Sequence, residues 1–164
     1  MTKINSIIVE GADQQGKSTF CRFLSGLLGW KIVHYGLPEK WFDFDKDYMI
    51  DPGWISDRNF ISEVVYSQIR GEKNRLKKDI MYMLGRFAER GTLVIILNRT
   101  NWSFEDRSEE FTYCQIRKAK TLYEEFTKEY EEQVRMIDPE DYEQVMNLLK
   151  YISHENLQAS KPGE

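Results

Sequence analysis

Residues 11–18 read Gly11-Ala12-Asp13-Gln14-Gln15-Gly16-Lys17-Ser18, a complete G-x-x-x-x-G-K-[ST] phosphate loop. Gly11 and Gly16 let the backbone curl so that successive N–H groups point inward, toward phosphate oxygens. Lys17 brings a point charge to the outer phosphates, and the Ser18 hydroxyl is placed to ligate Mg²⁺. Four fixed positions match by chance in well under ~1% of chains of this length. On one side, Ile4-Asn5-Ser6-Ile7-Ile8-Val9 reads as a buried strand. On the other, Ser18 to Leu28 reads as a helix carrying Phe20, Phe23, Leu24 and Leu27. Strand, glycine loop and helix are the context the motif requires.

Further along, helical and extended segments alternate, the pattern of a parallel α/β sheet. Gly29 is expected to cap the first helix, and residues 30–35 form a second strand. Residues 36–54, bracketed by Pro38 and Pro52, hold Trp41, Phe42, Phe44 and Tyr48, too aromatic for a linker. Trp54-Ile55-Ser56 is a short strand ending in Asp57-Arg58, and residues 60–70 look helical. Leu76, Ile80, Met83, Leu84 and Phe87 share one helical face, which Gly91 ends. Thr92 to Leu97 is the strongest strand. A polar stretch over 99–110 leads to a helix with Ile116, Ala119, Tyr123, Phe126 and Tyr130 on one side. Residues 134–137 form a last strand, and Asp138-Pro139 opens a helix with Val145, Leu148, Leu149 and Ile152. The tail from Ser160 is expected to fray. The expected architecture is α/β, a three-layer P-loop NTPase fold with a parallel sheet of about five strands flanked by helices. It is read as a single domain over 1–164.

Bulk composition narrows the class. The 164 residues are 41% hydrophobic and 30% charged, enough for one domain with a core. A net charge of −4 argues against a surface that coats nucleic acid. No apolar run approaches the ~18 residues of a membrane span, and no leader-like segment opens the chain, so a cytoplasmic protein is expected. Cys21 and Cys114 lack metal-ligand spacing and read, with the methionines, as packing residues in a reducing compartment. His34 and His154 are too few for an imidazole-based metal site. The strand 92–97 ends in Asn98, so the usual second Mg²⁺-side carboxylate is missing there; Asp57 is the better candidate. No Asn-Lys-x-Asp guanine-reading motif is present, which argues against a switch GTPase.

Val9-Glu10-Gly11-Ala12-Asp13 followed by Gly16-Lys17-Ser18-Thr19 resembles the loop of the thymidylate kinases. Asp57-Arg58 with Ser62 and Tyr66 resembles that family's Asp-Arg-Tyr segment. Leu37-Pro38-Glu39-Lys40 is similar to its Phe-Pro-x-Arg turn, and Glu105-Asp106-Arg107 to a shortened lid. Met136-Ile137-Asp138 resembles its closing Ile-Asp-Ala. These segments occur in the family's order from the first strand to the last helix. The resemblance implies transfer of a phosphoryl group from ATP, with Mg²⁺, to a deoxynucleoside 5′-monophosphate, dTMP or a related or modified deoxypyrimidine monophosphate.

It also implies roles. Gly11, Gln14, Gln15, Gly16, Lys17, Ser18, Thr19 and Asp138 would serve the ATP, and Ser18 and Asp57 the metal. Asp13, Lys40, Arg58, Ser62, Glu63 and Tyr66 would meet the acceptor: Asp13 near its sugar and phosphate, Arg58 on the monophosphate, Tyr66 against the deoxyribose. Lys17, Arg107, Asp13 and Arg58 would carry catalysis, with Arg107 closing from the lid at 99–110. That source suits a loop with Gln14 and Gln15 and no arginine of its own. The family often pairs through helices next to the Asp-Arg segment, so a homodimer is compatible with the resemblance.

The chain is short for the family. About forty residues separate the loop from Asp57-Arg58, too few for the long helix that normally supplies base contacts. Base contacts then fall to 36–54, where Trp41 and Phe42 are candidates, or to 62–70. An ionised Glu63 accepts hydrogen bonds only, so it either meets a base edge rich in N–H groups or faces water. The base stays open. Two rivals stand beside this reading: a kinase of a nucleoside or nucleic-acid 5′-hydroxyl, with Asp13, Glu63 or Asp57 as base, and a non-catalytic ATP-binding module.

Overall fold

The structure is a computed structural model that describes residues 3–35, 48–72, 77–104 and 111–158. Its centre is β1 (Ser6–Glu10), every residue of which is buried. β2 (Lys31–His34), β3 (Trp54–Asp57), β4 (Thr92–Leu97) and β5 (Val134–Ile137) complete a five-stranded sheet in the order β2-β3-β1-β4-β5. All four pairings are parallel, with Val9 opposite both Asp57 and Ile95. Among the described residues five helices flank it: α1 (Lys17–Leu28), α2 (Phe60–Arg70), α3 (Ile80–Glu89), α4 (Tyr113–Glu129) and α5 (Tyr142–Gln158). The expected three-layer α/β architecture is the one observed.

Strand alternation sorts the helices onto two faces. Ile8, Val94 and Ile96 point into a core shared with α2, α3 and α4, which contribute Phe60, Val64, Met83, Phe87, Ile116 and Tyr123. Ile7, Val9, Leu93, Ile95 and Leu97 point the other way, against Phe20, Cys21 and Leu24 of α1 and Leu148 and Ile152 of α5. A sheet covered on both faces needs apolar residues at successive positions, which is why 92–97 is the most strand-like run in the sequence. From β1 the chain goes out to β2 and β3 on one side, then crosses to β4 and β5 on the other. A crevice therefore opens beyond the carboxyl end of β1, where ligands of such sheets sit. The phosphate loop occupies that position.

Local signals explain most boundaries. Gly29 caps α1, its N–H donating to Ser25 O. Thr112 and Gln115 form a capping box that starts α4. Gly91, in the left-handed region at φ 69°, passes so close to the chain start that a Cβ would lie 2.0 Å from Lys3 O.

Some expectations change. Phe23 and Leu27 are 42% and 56% exposed, because the buried stripe of α1 runs through Phe20, Cys21 and Leu24 and leaves them to one side. The expected helix from Leu76 begins instead at Ile80, after one 3₁₀ turn at Lys77–Asp79; Leu76 lies outside the described residues. Cys21 is buried as expected, whereas Cys114 is exposed on the first turn of α4. Met81 is exposed on α3, while Met83 is buried. Tyr130 is only half-buried. Trp41, Phe42, Phe44, the Leu37–Lys40 turn and the tail from Ser160 lie outside the described residues. Tyr48, at the end of that aromatic excursion, is buried and stacks on Tyr35 at 5.3 Å. No helix among the described residues is long and apolar enough to cross a membrane.

Candidate active site

β1 delivers the phosphate loop. Gly11 has φ 138° and lies so near β4 that a Cβ would sit 2.6 Å from Leu97 O, so a larger residue would push the loop off the sheet. Gly16, at φ 82°, then turns the chain into α1, whose free N–H groups face the crevice. Lys17 is buried, and its ammonium donates to Ala12 O at 2.6 Å and lies 3.9 Å from Asp13 Oδ1. Burial lowers its pKa to about 8, and the nearby Arg58 cation adds to that, against the carboxylates of Asp13, Asp57 and Glu10. This ammonium is held against the loop backbone.

A cavity of about 380 Å³ opens over this loop, lined by Asp13, Gln14, Gly16, Lys17, Ser18 and Thr19 and, across from them, by His34, Tyr35, Asp57 and Arg58. Ser18 Oγ donates to Asp57 Oδ2 at 2.7 Å, joining the start of α1 to the end of β3. His34 Nδ1 approaches the same oxygen at 3.3 Å. No group of three or more His, Cys, Asp or Glu among the described residues forms a metal cage by itself.

Arg58 follows β3 directly and holds φ 74°, the left-handed region that a non-glycine residue seldom adopts. Its guanidinium donates to Asp13 Oδ1 and lies 5.5 Å over the ring of Tyr66. Tyr66, buried on α2, accepts the Asp13 N–H at its hydroxyl, 3.0 Å away. Its ring packs on Phe111 at 4.9 Å. Asp13, Lys17 and Arg58 thus line the cavity together, while Tyr66, expected against the acceptor's sugar, is not among its lining residues and braces Asp13 and Arg58 from beneath.

Other candidates fall elsewhere. Ser62 is buried, and its hydroxyl is engaged by Glu10 (2.5 Å) and Tyr123 (3.0 Å), so it does not face the cavity. Glu63 is not among the cavity's lining residues; burial raises its pKa, Arg70 opposes that and Glu72 reinforces it. Gln15 points inward: its Oε1 accepts from Arg99 N (2.9 Å) and Lys120 Nζ (3.0 Å). Asp138 accepts from the amides of Thr100 (2.8 Å) and Glu140 (2.9 Å), tying the loop after β5 to the loop after β4. Lys40 and Arg107 lie outside the described residues.

A second cavity, of about 420 Å³, adjoins the loop on its other side, between Gly16, Thr19, Phe20 and Phe23 and the residues Arg99, Pro139, Glu140 and Val145. Arg99 and Glu140 are ion-paired there. This cavity explains the exposure of Phe23: the side chain forms a wall.

Sequence reasoning missed two residues. Lys120 of α4 donates to Gln15 Oε1, Asn98 Oδ1 and Arg99 O and lies 5.5 Å over Trp102, bracing the loop from behind. Its only signal was a cation beside Ala119 on the buried edge of a helix. Glu10 is wholly buried at the end of β1, and burial raises its pKa to about 7. A carboxylate closing an otherwise apolar strand was the available clue.

No protein-family model and no curated protein matches the sequence. The fold does match solved structures, several of them kinases. The YorR protein of Bacillus subtilis, solved with phosphorylated GDP, aligns with TM-score 0.69 and 18% identity over 96% of this chain and 99% of its own. Thymidylate kinase from Candida albicans aligns with TM-score 0.56 and 16% identity over 99% and 96%. Deoxyadenosine kinase from M. mycoides, with bound dATP, gives 0.57 and 16% over 91% and 99%. The chain therefore shares the α/β fold of these solved structures over 91–99% of its length.

Proposed function

We propose that this protein is a nucleoside monophosphate kinase, transferring a phosphoryl group from Mg-ATP to a deoxynucleoside 5′-monophosphate, with dTMP or a related or modified deoxypyrimidine monophosphate as the acceptor. One observation carries the reading. Lys17 and Arg58 both line a cavity of about 380 Å³ and both approach one oxygen, Asp13 Oδ1, so two cations converge on a space of nucleotide-phosphate size. The donor phosphates lie on the loop amides and Lys17, with the donor base in the cavity beside Phe23 and Arg99. The acceptor phosphate takes Arg58 from Asp13, exchanging one charge-assisted hydrogen bond for another.

The Ser18 hydroxyl and the Asp57 carboxylate, 2.7 Å apart, are hard oxygen donors of the kind Mg²⁺ prefers. Bound there, Mg²⁺ supplies neutralisation of the phosphate oxygens. The protein's own part is positioning and charge complementarity: Lys17 on the donor, Arg58 on the acceptor, Asp13 and Tyr66 fixing Arg58. Arg107, from the 99–110 lid, adds a guanidinium on the transferring group. The reading has the protein cytoplasmic, with a homodimer allowed.

The test is ADP release from Mg-ATP with dTMP, dUMP, 5-substituted dUMPs, dCMP, dGMP, dAMP, UMP, thymidine and a 5′-hydroxyl oligonucleotide. Stimulation by one deoxynucleoside monophosphate supports the proposal and names the base. Stimulation by thymidine or the oligonucleotide alone replaces it with a hydroxyl-acceptor kinase. That second reading is favoured by one feature, the Asp13 carboxylate 3.9 Å from Lys17 Nζ, where a general base would stand.

A further inference from the structure

We infer that Glu10 is the positioning residue of the acceptor-phosphate grip: its buried carboxylate holds the first amides of α2 and thereby fixes Arg58 opposite the phosphate loop. The inference rests on the reading of Arg58 given above, and its test separates the two.

A helix start leaves its first N–H groups without partners inside the helix. In α2 the Asn59 side chain serves only the Phe60 amide, at 2.8 Å. Two more come to β1. Glu10 Oε1 accepts from Asn59 N at 2.8 Å and Ser62 N at 3.2 Å. Oε2 accepts from Ser62 Oγ at 2.5 Å and Tyr123 OH at 3.1 Å. Four donors from α2, its N-cap and α4 fill the four acceptor directions of one carboxylate, and none of it meets water. Packing alone does not ask for this: the preceding residues are Ile7, Ile8 and Val9, and a buried carboxylate is retained where it specifies an arrangement.

The arrangement specified is that of Arg58. Its left-handed backbone persists only if the surroundings over-determine it. The Arg58 N–H donates to Val9 O at 2.9 Å, its carbonyl accepts from Ser56 Oγ at 2.6 Å, and the next amide, Asn59 N, goes to Glu10. Two consecutive residues of β1 therefore clamp the peptides on both sides of Arg58. The same strand runs, one residue later, into Gly11 and the loop. Glu10 stands one residue before the donor cradle and holds the amide that follows Arg58, so it sets the distance between the loop and the backbone that carries the acceptor cation.

The experiment compares Glu10→Met, Glu10→Gln and, as a stability-matched control on the opposite face, Ile152→Ala. Glu10→Met should raise the KM for the acceptor monophosphate about tenfold, the scale of one weakened hydrogen bond to a charged group. The KM for ATP should stay within about twofold. Glu10→Gln keeps an oxygen for both amides and should recover most of the loss. Combined with Arg58→Met, Glu10→Met should add nothing further. A uniform rise in both KM values, or a full Glu10→Met effect in the Arg58→Met background, overturns the inference. If Arg58→Met itself leaves the acceptor KM unchanged, the reading of Arg58 fails instead. The positioning claim is then decided by amide exchange, which Glu10→Met must accelerate at Asn59 and Ser62 and Ile152→Ala must not; equal exchange overturns it. Should Glu10→Met not fold, Ser62→Ala carries the same comparison with one donor removed.

Discussion

Tyr66→Phe removes one oxygen atom and leaves the ring, so it isolates what the hydroxyl contributes. The ring's contacts with Phe111 at 4.9 Å and with the Arg58 guanidinium at 5.5 Å are kept. Lost is the acceptor for the Asp13 N–H, 3.0 Å away in a site where Tyr66 is only 4% exposed. A neutral hydrogen bond is worth about 1 kcal/mol net, and an amide left partly buried without a partner costs about 1–3 kcal/mol, so a stability loss near 2 kcal/mol is expected. For a chain of this size that corresponds to a melting temperature lower by about 4–8 °C. Asp13 is also the residue that Arg58 grips, so its loosened backbone widens the acceptor site. A loss of about 1.4 kcal/mol there reads as a tenfold fall in kcat/KM for the acceptor. The assay is a thermal melt together with steady-state kinetics on a deoxynucleotide and its ribonucleotide. Because the hydroxyl is already bonded to Asp13, the preference between the two sugars should not change. An unaltered melt with unaltered kcat/KM refutes the bracing role. A variant that newly accepts the ribonucleotide refutes it differently, by giving the hydroxyl to the sugar.

Further outcomes follow from the same geometry. Lys17→Ala should abolish transfer; substantial retained activity would remove the phosphate loop from the mechanism. With the Lys17 pKa lowered to about 8 by burial, kcat/KM for ATP should fall as pH rises through 8, because the free enzyme then loses the cation. Lys17→Arg, protonated throughout that range, should lack this limb whatever its level, and a limb that survives assigns it elsewhere. Asp57→Asn should shift the Mg²⁺ titration of activity to concentrations about tenfold higher or more, with ATP affinity measured without metal unchanged; an unshifted titration removes Asp57 from the ion. Arg107→Ala should lower kcat far more than nucleotide affinity, and equal losses in both reassign Arg107 to binding.

The sequence made the scaffold legible because its signals are local. The glycine loop, the helix over 60–70 and the apolar run 92–97 each announce themselves within a dozen residues, and all three sit where they were expected. Ser18 and Asp57 were expected at the metal, Asp57 from its place at a strand end, and Arg58 and Asp13 at the acceptor from the family resemblance; the folded chain brings each pair into contact. What escaped depends on partners distant in sequence. Glu10 meets Asn59 and Tyr123, 49 and 113 positions away, and Lys120 meets Gln15 from 105 positions away. Ser62 shows the converse: spacing suggested a substrate contact, yet its place on the first turn of α2 turns it to Glu10. A short motif fixes which residues are near the loop; it does not fix which way each side chain turns once neighbouring elements compete for it.

The two cysteines differ in a way that gives the experimenter a handle. Cys21 is sealed beneath the loop, and burial, with Asp57 adding to it, pushes its thiol up to about 12, so it yields almost no thiolate near neutrality. Cys114 stands in solvent on the first turn of α4, next to Tyr113, whose ring stacks on Trp102 at 5.7 Å. A maleimide dye added to the native protein should therefore couple once, at Cys114. The wild-type chain thus offers a single-site fluorescent label on the residue after the Tyr113 that stacks on Trp102, a built-in reporter of the loop after β4, without a substitution.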